Sequence, residues 1–357
     1  MRKVFISSVV LLVSPTLFAA INNEAFTFIG FNTGQITYKE GGTLSSGVKF
    51  ETSPTTTNIF NYSGGYTPIG DRFGFYINNI STLTSDQANE EWKASGTNGS
   101  ASVNGTYQTD LASSKHQTLD MLGGYLLGGG HQVVFGASYT QSSIDRSGFN
   151  SGSALDAFNQ TNLAPYVGTE GDVSSELGNG TPENTYEALE NIYGADPNGK
   201  IRNFTETFTT FALQAGYKYD SLFKSRELGS RVQFGATIGL PMYYSVVNTS
   251  SPTLTFDSSF EGFDIGFNAG YGWRFTENVG LIATVNYFYR IRPELKQLLQ
   301  TRAQAIESSK NVEYTDSSDD TVKTYADGVD LGRDRYASIP ENELSYWNVG
   351  LSAYWNF

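Results

Sequence analysis

The last segment of the chain, residues 347–357, alternates strictly between two kinds of side chain. Every odd position, from Trp347 to Phe357, is apolar, while the even positions read Asn, Gly, Ser, Tyr and Asn. Because successive side chains of a β-strand point to opposite faces, this pattern predicts a strand with one wholly apolar face. The fold must therefore offer an apolar environment to one side of a strand that ends the chain.

The same alternation recurs along the sequence. It is cleanest over 263–275 and 279–291, where apolar residues again occupy the odd positions and the three-residue link 276–278 predicts a hairpin. Ten strands are predicted near 25–38, 54–66, 72–84, 117–127, 131–144, 204–219, 232–244, 263–275, 279–291 and 343–357. Twelve strands are the alternative, since the pattern before residue 70 is poor and Ser100 to Tyr107 can add to a hairpin.

The connections between these strands alternate in length. Short links are predicted at 67–71, 128–130, 220–229 and 276–278, and long ones at 39–53, 85–116, 145–203, 247–259 and 292–342. All long connections then lie at one end of the sheet, and all short ones lie at the other with both chain termini. An antiparallel barrel with both chain termini at the same end must have an even number of strands, and ten satisfies this.

The N-terminus has the features of a signal peptide. Arg2 and Lys3 precede an apolar run from Val4 to Val13 that is too short to span a bilayer, and small residues follow at Ala19 and Ala20. We expect residues 1–19 to be removed and residues 20–357 to form a single domain. Loss of the two basic residues takes the formal net charge from −13 to −15. This charge argues against nucleic acid as a partner.

A chain that begins with a secretion signal and ends on such a strand resembles the outer-membrane β-barrel proteins of Gram-negative bacteria. In that family a C-terminal aromatic residue closes the last strand and is read by the barrel assembly machinery, so Tyr354, Trp355 and Phe357 are the expected assembly signal. The resemblance implies an all-β, antiparallel up-and-down transmembrane barrel in the bacterial outer membrane. Outer-membrane lipid and lipopolysaccharide are then its expected neighbours.

A soluble antiparallel sandwich would also alternate, with its apolar face turned to a core. Four features argue against a soluble sandwich: the predicted signal peptide, the C-terminal Phe, the length of the cleanly alternating strands, and the placement of all long connections at one end. The chain also has 22 Tyr and 24 Phe, and aromatic residues crowd predicted strand ends, as at Trp273 and Trp355. Such crowding is typical of the aromatic girdles of membrane barrels.

The long connections carry two patterns that predict short helices. Pro293 precedes a stretch with Leu295, Leu298, Leu299, Ala303 and Ile306 on one face, and Thr181-Pro182-Glu183 opens a second stretch that Gly194 ends. Two interpretations remain open. The helices cap the barrel mouth, or they fold into the lumen as a plug or a ligand platform.

No catalytic residue and no cofactor are predicted. His131 is expected to be a solvated residue of a short turn. His116 shares a strand face with Asp120 at about 13 Å, too far for a direct hydrogen bond. Asp86 or Asp110 from another connection is an alternative partner for His116. Ten strands are also the number in the omptin surface proteases, but their paired aspartates and Asp-x-His element are not visible here. Their activity is therefore not carried over.

Metal binding is left open. The absence of Cys excludes thiolate sites, lipoprotein anchors and disulfides. Acidic residues at Asp316, Asp319, Asp320, Asp327, Asp330 and Asp334 do not match a twelve-residue calcium loop, so a solvated acidic surface is the alternative to a Ca²⁺ site.

If the apolar faces meet lipid, the opposite faces line the interior. The predicted lumen-lining residues are Asp120, Glu206, Gln214, Lys218, Arg231, Gln233, Asp264, Asn268, Arg274 and Arg290. Matching the inward faces of the 263–291 hairpin places Arg290 directly opposite Asp264, or one pair displaced from it, and predicts an ion pair between them. Their mixed charges and several inward glycines fit a narrow, loop-covered bore, although small barrels are often filled by side chains. We therefore expect a monomeric, porin-like channel for small solutes, with a surface adhesion or recognition barrel without transport as the alternative.

Overall fold

The computed structural model describes residues 23–44, 47–98, 101–158, 161, 204–224, 229–249, 255–301, 303, 304, 307, 313–316, 321–324 and 335–357. The predicted signal peptide and the predicted helix that opens at Thr181 lie outside these residues. Among the described helical residues, no helix is both long and apolar enough to span a bilayer.

The described residues form seventeen β-strands, one short 3₁₀ turn, Ser221–Phe223, and a few helical residues at 155–158, 161, 303, 304 and 307. In chain order the strands are β1 Phe26–Thr43, β2 Lys49–Thr52, β3 Thr55–Pro68, β4 Phe73–Ser85, β5 Ala88–Asn98, β6 Ala101–Gly128, β7 His131–Ser151, β8 Phe204–Asp220, β9 Gly229–Asn248, β10 Thr255–Ser258, β11 Phe263–Arg274, β12 Val279–Arg292, β13 Leu295–Gln300, β14 Glu313–Asp316, β15 Thr321–Thr324, β16 Arg335–Ile339 and β17 Glu341–Asn356.

Ten of these strands close into an antiparallel ring. The order around it is β17, β12, β11, β9, β8, β7, β6, β4, β3 and β1, and β1 pairs back with β17. The closing register runs from Phe26 opposite Asn356 to Gly41 opposite Glu341. The ten-strand prediction and the four short links are confirmed, and the twelve-strand alternative is wrong. The segment that suggested extra strands, 101–107, is the upper part of β6.

The strands continue well past the length that a membrane requires. β6 has 28 residues and β7 has 21, whereas a membrane strand needs about 9–11. Above β3 and β4, the short β2 and the strand β5 complete the wall, because β2 joins β1 to β5 and β5 pairs with β6. Much of the predicted connections 39–53 and 85–116 is therefore strand. We refer to this upper part as the extracellular extension.

The helix expected after Pro293 does not begin there. Residues Leu295–Gln300 are strand β13, which pairs with β16 in a separate two-stranded sheet, and the described helical residues of this segment are 303, 304 and 307. Leu295 and Ile339, opposite each other in this pair, are both buried in the same apolar cluster. Pairing supplies the backbone hydrogen bonds while the cluster buries the leucine, so tertiary packing overrides the local helical pattern.

The outward face of the ring is an apolar belt. Phe31, Phe267 and Leu351 are 62%, 52% and 51% exposed, although residues of this size are normally buried in a water-soluble fold. The terminal aromatic residues Trp347 and Trp355 face outward on β17, on either side of Leu351. An apolar belt with aromatic rings at its edges is the surface that a bilayer covers.

Candidate functional site

The predicted lumen-lining residues all lie on the inner side of the ring. Six of them are buried: Glu206, Gln214, Arg231, Asp264, Arg274 and Arg290. The other four are partly buried, and they line interior cavities: Asp120, Lys218, Gln233 and Asn268. The structure divides these residues into separate groups at different depths, and each group has its own chemistry.

The group nearest the outer end is organised by Arg146. We call Arg146, Glu40, Glu90 and Glu206 the Arg146 cluster. The guanidinium Nη2 donates to Glu40 at 2.9 Å, Nη1 donates to Glu206 at 2.9 Å, and Nε donates to Glu90 at 2.8 Å. These residues come from β7, β1, β8 and β5, so one side chain ties four strands together across the mouth. Its planar fork of donors suits this role, which a lysine would not fill.

Aromatic rings enclose the same guanidinium. Its carbon lies 4.8 Å from the Trp92 ring centre, 5.4 Å from that of Phe204 and 5.7 Å from that of Tyr38. The Arg146 side chain has no exposed surface. Cation–π contacts in so dry a place add to the ion pairs and exclude water from them.

The Arg146 cluster has more negative than positive groups. Burial, reinforced by the neighbouring Glu206, raises the pKa of Glu40 to about 7, and Arg146 opposes the shift only in part. Burial and contact with Glu90 likewise raise the pKa of Asp110 to about 7. Both groups lie in the extracellular extension, above the apolar belt. The outer end is therefore held by carboxyls that exchange protons near neutral pH.

Below the Arg146 cluster, an apolar layer crosses the bore. It is built from buried residues of strands on all sides of the ring, and we call it the outer apolar layer. Its members are Ile36, Tyr38, Phe60, Ile144, Phe208, Tyr244, Val246, Phe256, Phe288, Leu295, Ile339, Leu344 and Tyr346. Tyr38 of β1 and Phe208 of β8 come from well-separated strands of the ring, and their ring centres are 5.4 Å apart, so aromatic side chains fill the space across the bore.

His116 is part of this packing. Its Nδ1 lies 2.9 Å from the Ser142 hydroxyl and its Nε2 lies 2.8 Å from the Thr118 hydroxyl, so both ring nitrogens have partners. The imidazole also contacts Phe288 and Tyr346. None of these partners is a carboxylate.

The carboxylates suggested as partners for His116 are engaged elsewhere. Asp86 accepts from the Thr57 backbone N–H, and Asp110 accepts from the Trp92 indole at 3.0 Å. The second histidine, His131, is the first residue of β7 and hydrogen bonds to Tyr217. It is therefore partnered rather than a free turn residue.

Two arginines and one aspartate lie beside the outer apolar layer. Asp264 is opposite Arg290 in the sheet register, as the alternation predicts. The ion pair, however, joins Asp264 Oδ1 to Arg292 Nη2 at 2.7 Å. Arg290 instead extends across the bore and donates to the Ser142 hydroxyl at 3.4 Å. The expected Asp264–Arg290 ion pair is corrected to Asp264–Arg292.

A polar chamber lies in the middle of the barrel. Its two cavities measure about 80 and 40 Å³ and share Tyr62, Asn78, Lys218 and Asn268 as walls. Asp120 and Gln214 line the larger one. Volumes of this size hold a few water molecules and no larger solute.

The periplasmic end of the chamber is covered by a second packed layer, the inner cap. Its apolar members are Phe26, Tyr66, Tyr76, Leu122, Leu126, Val134, Leu222 and Phe223. The 3₁₀ turn brings Leu222 and Phe223 into the bore, and Asp220 caps that turn by accepting from Leu222 N–H. Arg231 binds Asp220 at 2.6 Å and lies between the rings of Phe26 and Tyr354.

Two inward glycines make room for tyrosine rings rather than opening the bore. A Cβ added to Gly74 would collide with the Tyr66 ring, and one added to Gly280 would collide with the Tyr354 ring. The glycines thus make room for tyrosines that fill the interior. Within the described part of the chain, packed side chains cover the polar chamber on both sides.

No cluster of metal ligands is found among the described residues. Of the acidic loop residues considered for Ca²⁺, Asp316 ends β14, and Asp319, Asp320, Asp327, Asp330 and Asp334 lie outside the described residues.

The sequence prediction missed most of the Arg146 cluster. The alternation places Glu40, Glu90 and Arg146 in loops, because the predicted strands end at 38 and 144 and the connection 85–116 contains Glu90. A signal was present in the sequence. The inward series Ile36, Tyr38 continues at the same two-residue spacing to Glu40, which is where the strand actually runs.

Comparison with known proteins identifies the fold. The outer membrane protease OmpT from Escherichia coli superposes with a TM-score of 0.52 at 10% identity, covering 94% of this chain and 97% of that one. The P. putida toluene transporter TodX (TM-score 0.30, 10% identity, 94% and 91% covered) and the outer membrane protein OprG from Pseudomonas aeruginosa (0.28, 10%, 95% and 98%) also match. No protein-family model and no curated protein matches the chain.

The likeness to OmpT shows a common fold. The protein is an outer-membrane β-barrel: its antiparallel ring has the architecture of that class, and the apolar belt is the surface such a barrel turns to lipid. Its place is the bacterial outer membrane.

Proposed function

We propose that this protein is a surface recognition barrel, which binds a partner with its extracellular extension and does not conduct solutes in its resting state. The observation that supports this proposal is the double closure of the bore by the outer apolar layer and the inner cap. A barrel of about ten strands is near the size at which side chains fill the interior.

The extracellular extension has the properties of a binding platform. The hairpin of β5 and β6 is stiffened by its own apolar cluster, in which Trp92, Val103 and Tyr107 are buried with Ala154. The Tyr107 ring stacks on Phe158 at 4.0 Å. Rigid scaffolds that hold loops at their ends are the usual supports of binding sites. Recognition by such a surface loses little entropy on binding.

The proposal includes no catalytic reaction. Both nitrogens of His116 are hydrogen bonded to hydroxyls, and the residue is buried beneath the Arg146 cluster. A general base needs access to the substrate proton it removes, and this imidazole has none. Lipopolysaccharide, outer-membrane lipid and the barrel assembly machinery are proposed partners by location.

The test compares the wild-type protein with a variant in which the hairpin tip, residues 97–102, is replaced by Asn-Gly. Purified wild-type protein in planar bilayers should give no steady conductance. Cells carrying the wild type should adsorb phage or adhere to coated surfaces more than cells carrying the tip variant, at equal amounts of heat-modifiable folded barrel. Steady conductance together with equal adhesion would reject the recognition role.

The narrow channel for small solutes is the second candidate, and the polar chamber favours it. The chamber, lined by Lys218 and Asp120, has room for water, and a small polar solute passes through it only when both layers move. In that case conductance should be low and intermittent, and it should rise when the 145–203 and 292–342 segments are shortened in a barrel that still folds. Trimmed, folded protein that passes neither ions nor small sugars would eliminate this candidate.

A further inference from the structure

One sector of the apolar belt is polar. On β3 the outward residues include Asn61 and Ser63, and on β4 they include Asn79 and Ser81. Ser63 is directly opposite Asn79 in the register, and Asn61 is opposite Ser81. Two neighbouring strands thus present four hydroxyl and amide groups side by side. We call these four residues the polar sector.

The polar sector lies within the depth of the belt. Ser63 pairs on its other side with Ile29, and Asn61 pairs with Phe31, two of the exposed apolar residues of the belt. Along the chain, Ile29 lies between Gln35 and Ala25. Gln35 is opposite Trp347 at the outer aromatic edge, and the Ala25 carbonyl accepts a hydrogen bond from the N–H of Phe357 at the other edge. The polar groups are therefore between the two aromatic edges, where water is scarce.

Most other strands have apolar residues at the corresponding outward positions. Examples are Met121 on β6, Val133 and Phe135 on β7, Leu213 on β8, Phe234 and Ile238 on β9, Phe267 on β11, Val285 on β12, and Val349 and Leu351 on β17. The polar sector is thus a local departure from the pattern that lipid contact imposes.

Lipid tails cannot satisfy these groups. An amide placed in hydrocarbon without a hydrogen-bond partner costs several kcal/mol on cyclohexane scales. Inside the polar sector, the Asn61 amide reaches the Ser63 hydroxyl only at 3.5 Å, which is a weak contact. Small and polar side chains on a lipid-facing surface are typical of places where another protein segment packs and completes the hydrogen bonds.

Beside the polar sector is a groove in the belt of about 480 Å³. Its floor is formed where β3 has only Ser63, Gly64 and Gly65, and its rims are Ile29 with Phe357 on one side and Phe75 with Ile77 on the other. The groove and its exposed rims give this part of the surface a shape into which bulky side chains of a facing surface fit.

We propose that the polar sector and the adjoining groove are a dimer interface, and that the partner is a second copy of this chain. Two copies in one membrane share orientation, so a two-fold axis along the membrane normal places residues of equal depth opposite each other. Amides both donate and accept, so Asn79 facing its own copy forms a reciprocal pair of hydrogen bonds. The rims of one copy can then enter the groove of the other.

The test uses the natural absence of cysteine in the chain. Ser63→Cys places one thiol in the polar sector, and Ala269→Cys places one on the outward face of β11, across the ring. Both variants are oxidised with copper phenanthroline in isolated outer membranes, and the disulfide-linked dimer is quantified on gels. We expect dimer for Ser63→Cys and background for Ala269→Cys. Equal yields, or a product of Ser63→Cys with a different protein, would overturn the proposal.

A second measurement does not depend on cross-linking. Replacing Asn61 and Asn79 together by Leu removes the amides and makes the belt more uniformly apolar, so folding is preserved. We expect the dimer dissociation constant in mild detergent to rise about tenfold. Light scattering that finds wild type and variant equally monomeric, with both barrels folded, would reject the interface.

Discussion

Asp264 lies directly opposite Arg290 in the sheet, but its carboxylate binds Arg292, two residues further along the same face of β12. Residues two apart on a strand are about 7 Å apart, a distance that an arginine side chain covers easily. Arg290 is thereby released to reach Ser142 on the far wall. Sheet register thus defines which residues are neighbours, and packing inside the bore selects the ion pair.

The two arginines should differ sharply when each is replaced by Gln. Arg292→Gln leaves a buried carboxylate without its ion-pair partner and should lower the free energy of unfolding by about 3–5 kcal/mol. Arg290→Gln removes a long hydrogen bond to a hydroxyl and a cation–π contact with Phe208, but no ion pair of the kind Arg292 makes, and should cost markedly less. Urea unfolding of the refolded barrel, followed by tryptophan fluorescence, measures both. If both variants lose the same free energy of unfolding, the Asp264–Arg292 ion pair contributes no more to stability than the contacts of Arg290.

The Arg146 cluster should make stability depend on pH around neutrality. The pKa of Glu40 is raised from 4.5 to about 7, so between these values the folded protein retains a proton that the unfolded chain has lost. The free energy of unfolding therefore falls as the pH rises through this window. We expect greater stability at pH 5 than at pH 8, by about 1–3 kcal/mol from this group.

The matched pair for this prediction is Glu40→Gln and Glu51→Gln. Glu40→Gln should remove the contribution of Glu40 to the change in unfolding stability with pH. Glu51 is exposed on β2, so its variant should show the same dependence of stability on pH as the wild type. Thermal unfolding of the extension, monitored at several pH values, distinguishes them. A Glu40→Gln profile that overlays the wild type would contradict the assignment.

Phe357 should matter for assembly more than for the stability of the finished barrel. Its side chain is 79% exposed, and its N–H donates to the Ala25 carbonyl at 3.0 Å. Phe357→Asp should leave synthesis intact and reduce the heat-modifiable folded form in the outer membrane, while Phe357→Tyr should keep it. Normal folded levels of the Asp variant would remove Phe357 from the assembly signal.

Gly74 should resist even a small substitution, because the Tyr66 ring occupies the place of its missing Cβ. Gly74→Ala should destabilise the inner cap by about 1–3 kcal/mol through overpacking. In a Tyr66→Leu background, Gly74→Ala should cost less stability than in the wild type, because the smaller leucine leaves space for the added methyl group. Additive effects in a double-mutant cycle would show that the two residues do not share this contact.

Much of the fold can be read from the sequence because alternation has a direct physical cause. A lipid-facing surface requires an apolar residue at every second position, and tight turns interrupt that pattern at short, regular links. The C-terminal strand from Trp347, the 263–291 hairpin and the inward position of Asp264 follow from this rule alone. The strand extensions follow from it less clearly, because above the membrane the outward residues need not be apolar.

The interior and the upper sheets were decided by tertiary structure. Whether an inward glycine leaves space depends on the side chain beside it: the Tyr66 ring of β3 lies over Gly74 of the neighbouring strand β4. Arg146 gathers Glu40, Glu90 and Glu206 from three other strands, so no local pattern records the cluster.

The residues after Pro293 became a strand because β16 was available to pair. Residue spacing alone predicts a barrel of about ten strands with one apolar face per strand, because that face depends only on which positions alternate. The closure of the bore follows from the folded ring, because it requires side chains that are far apart in the chain to meet at one depth.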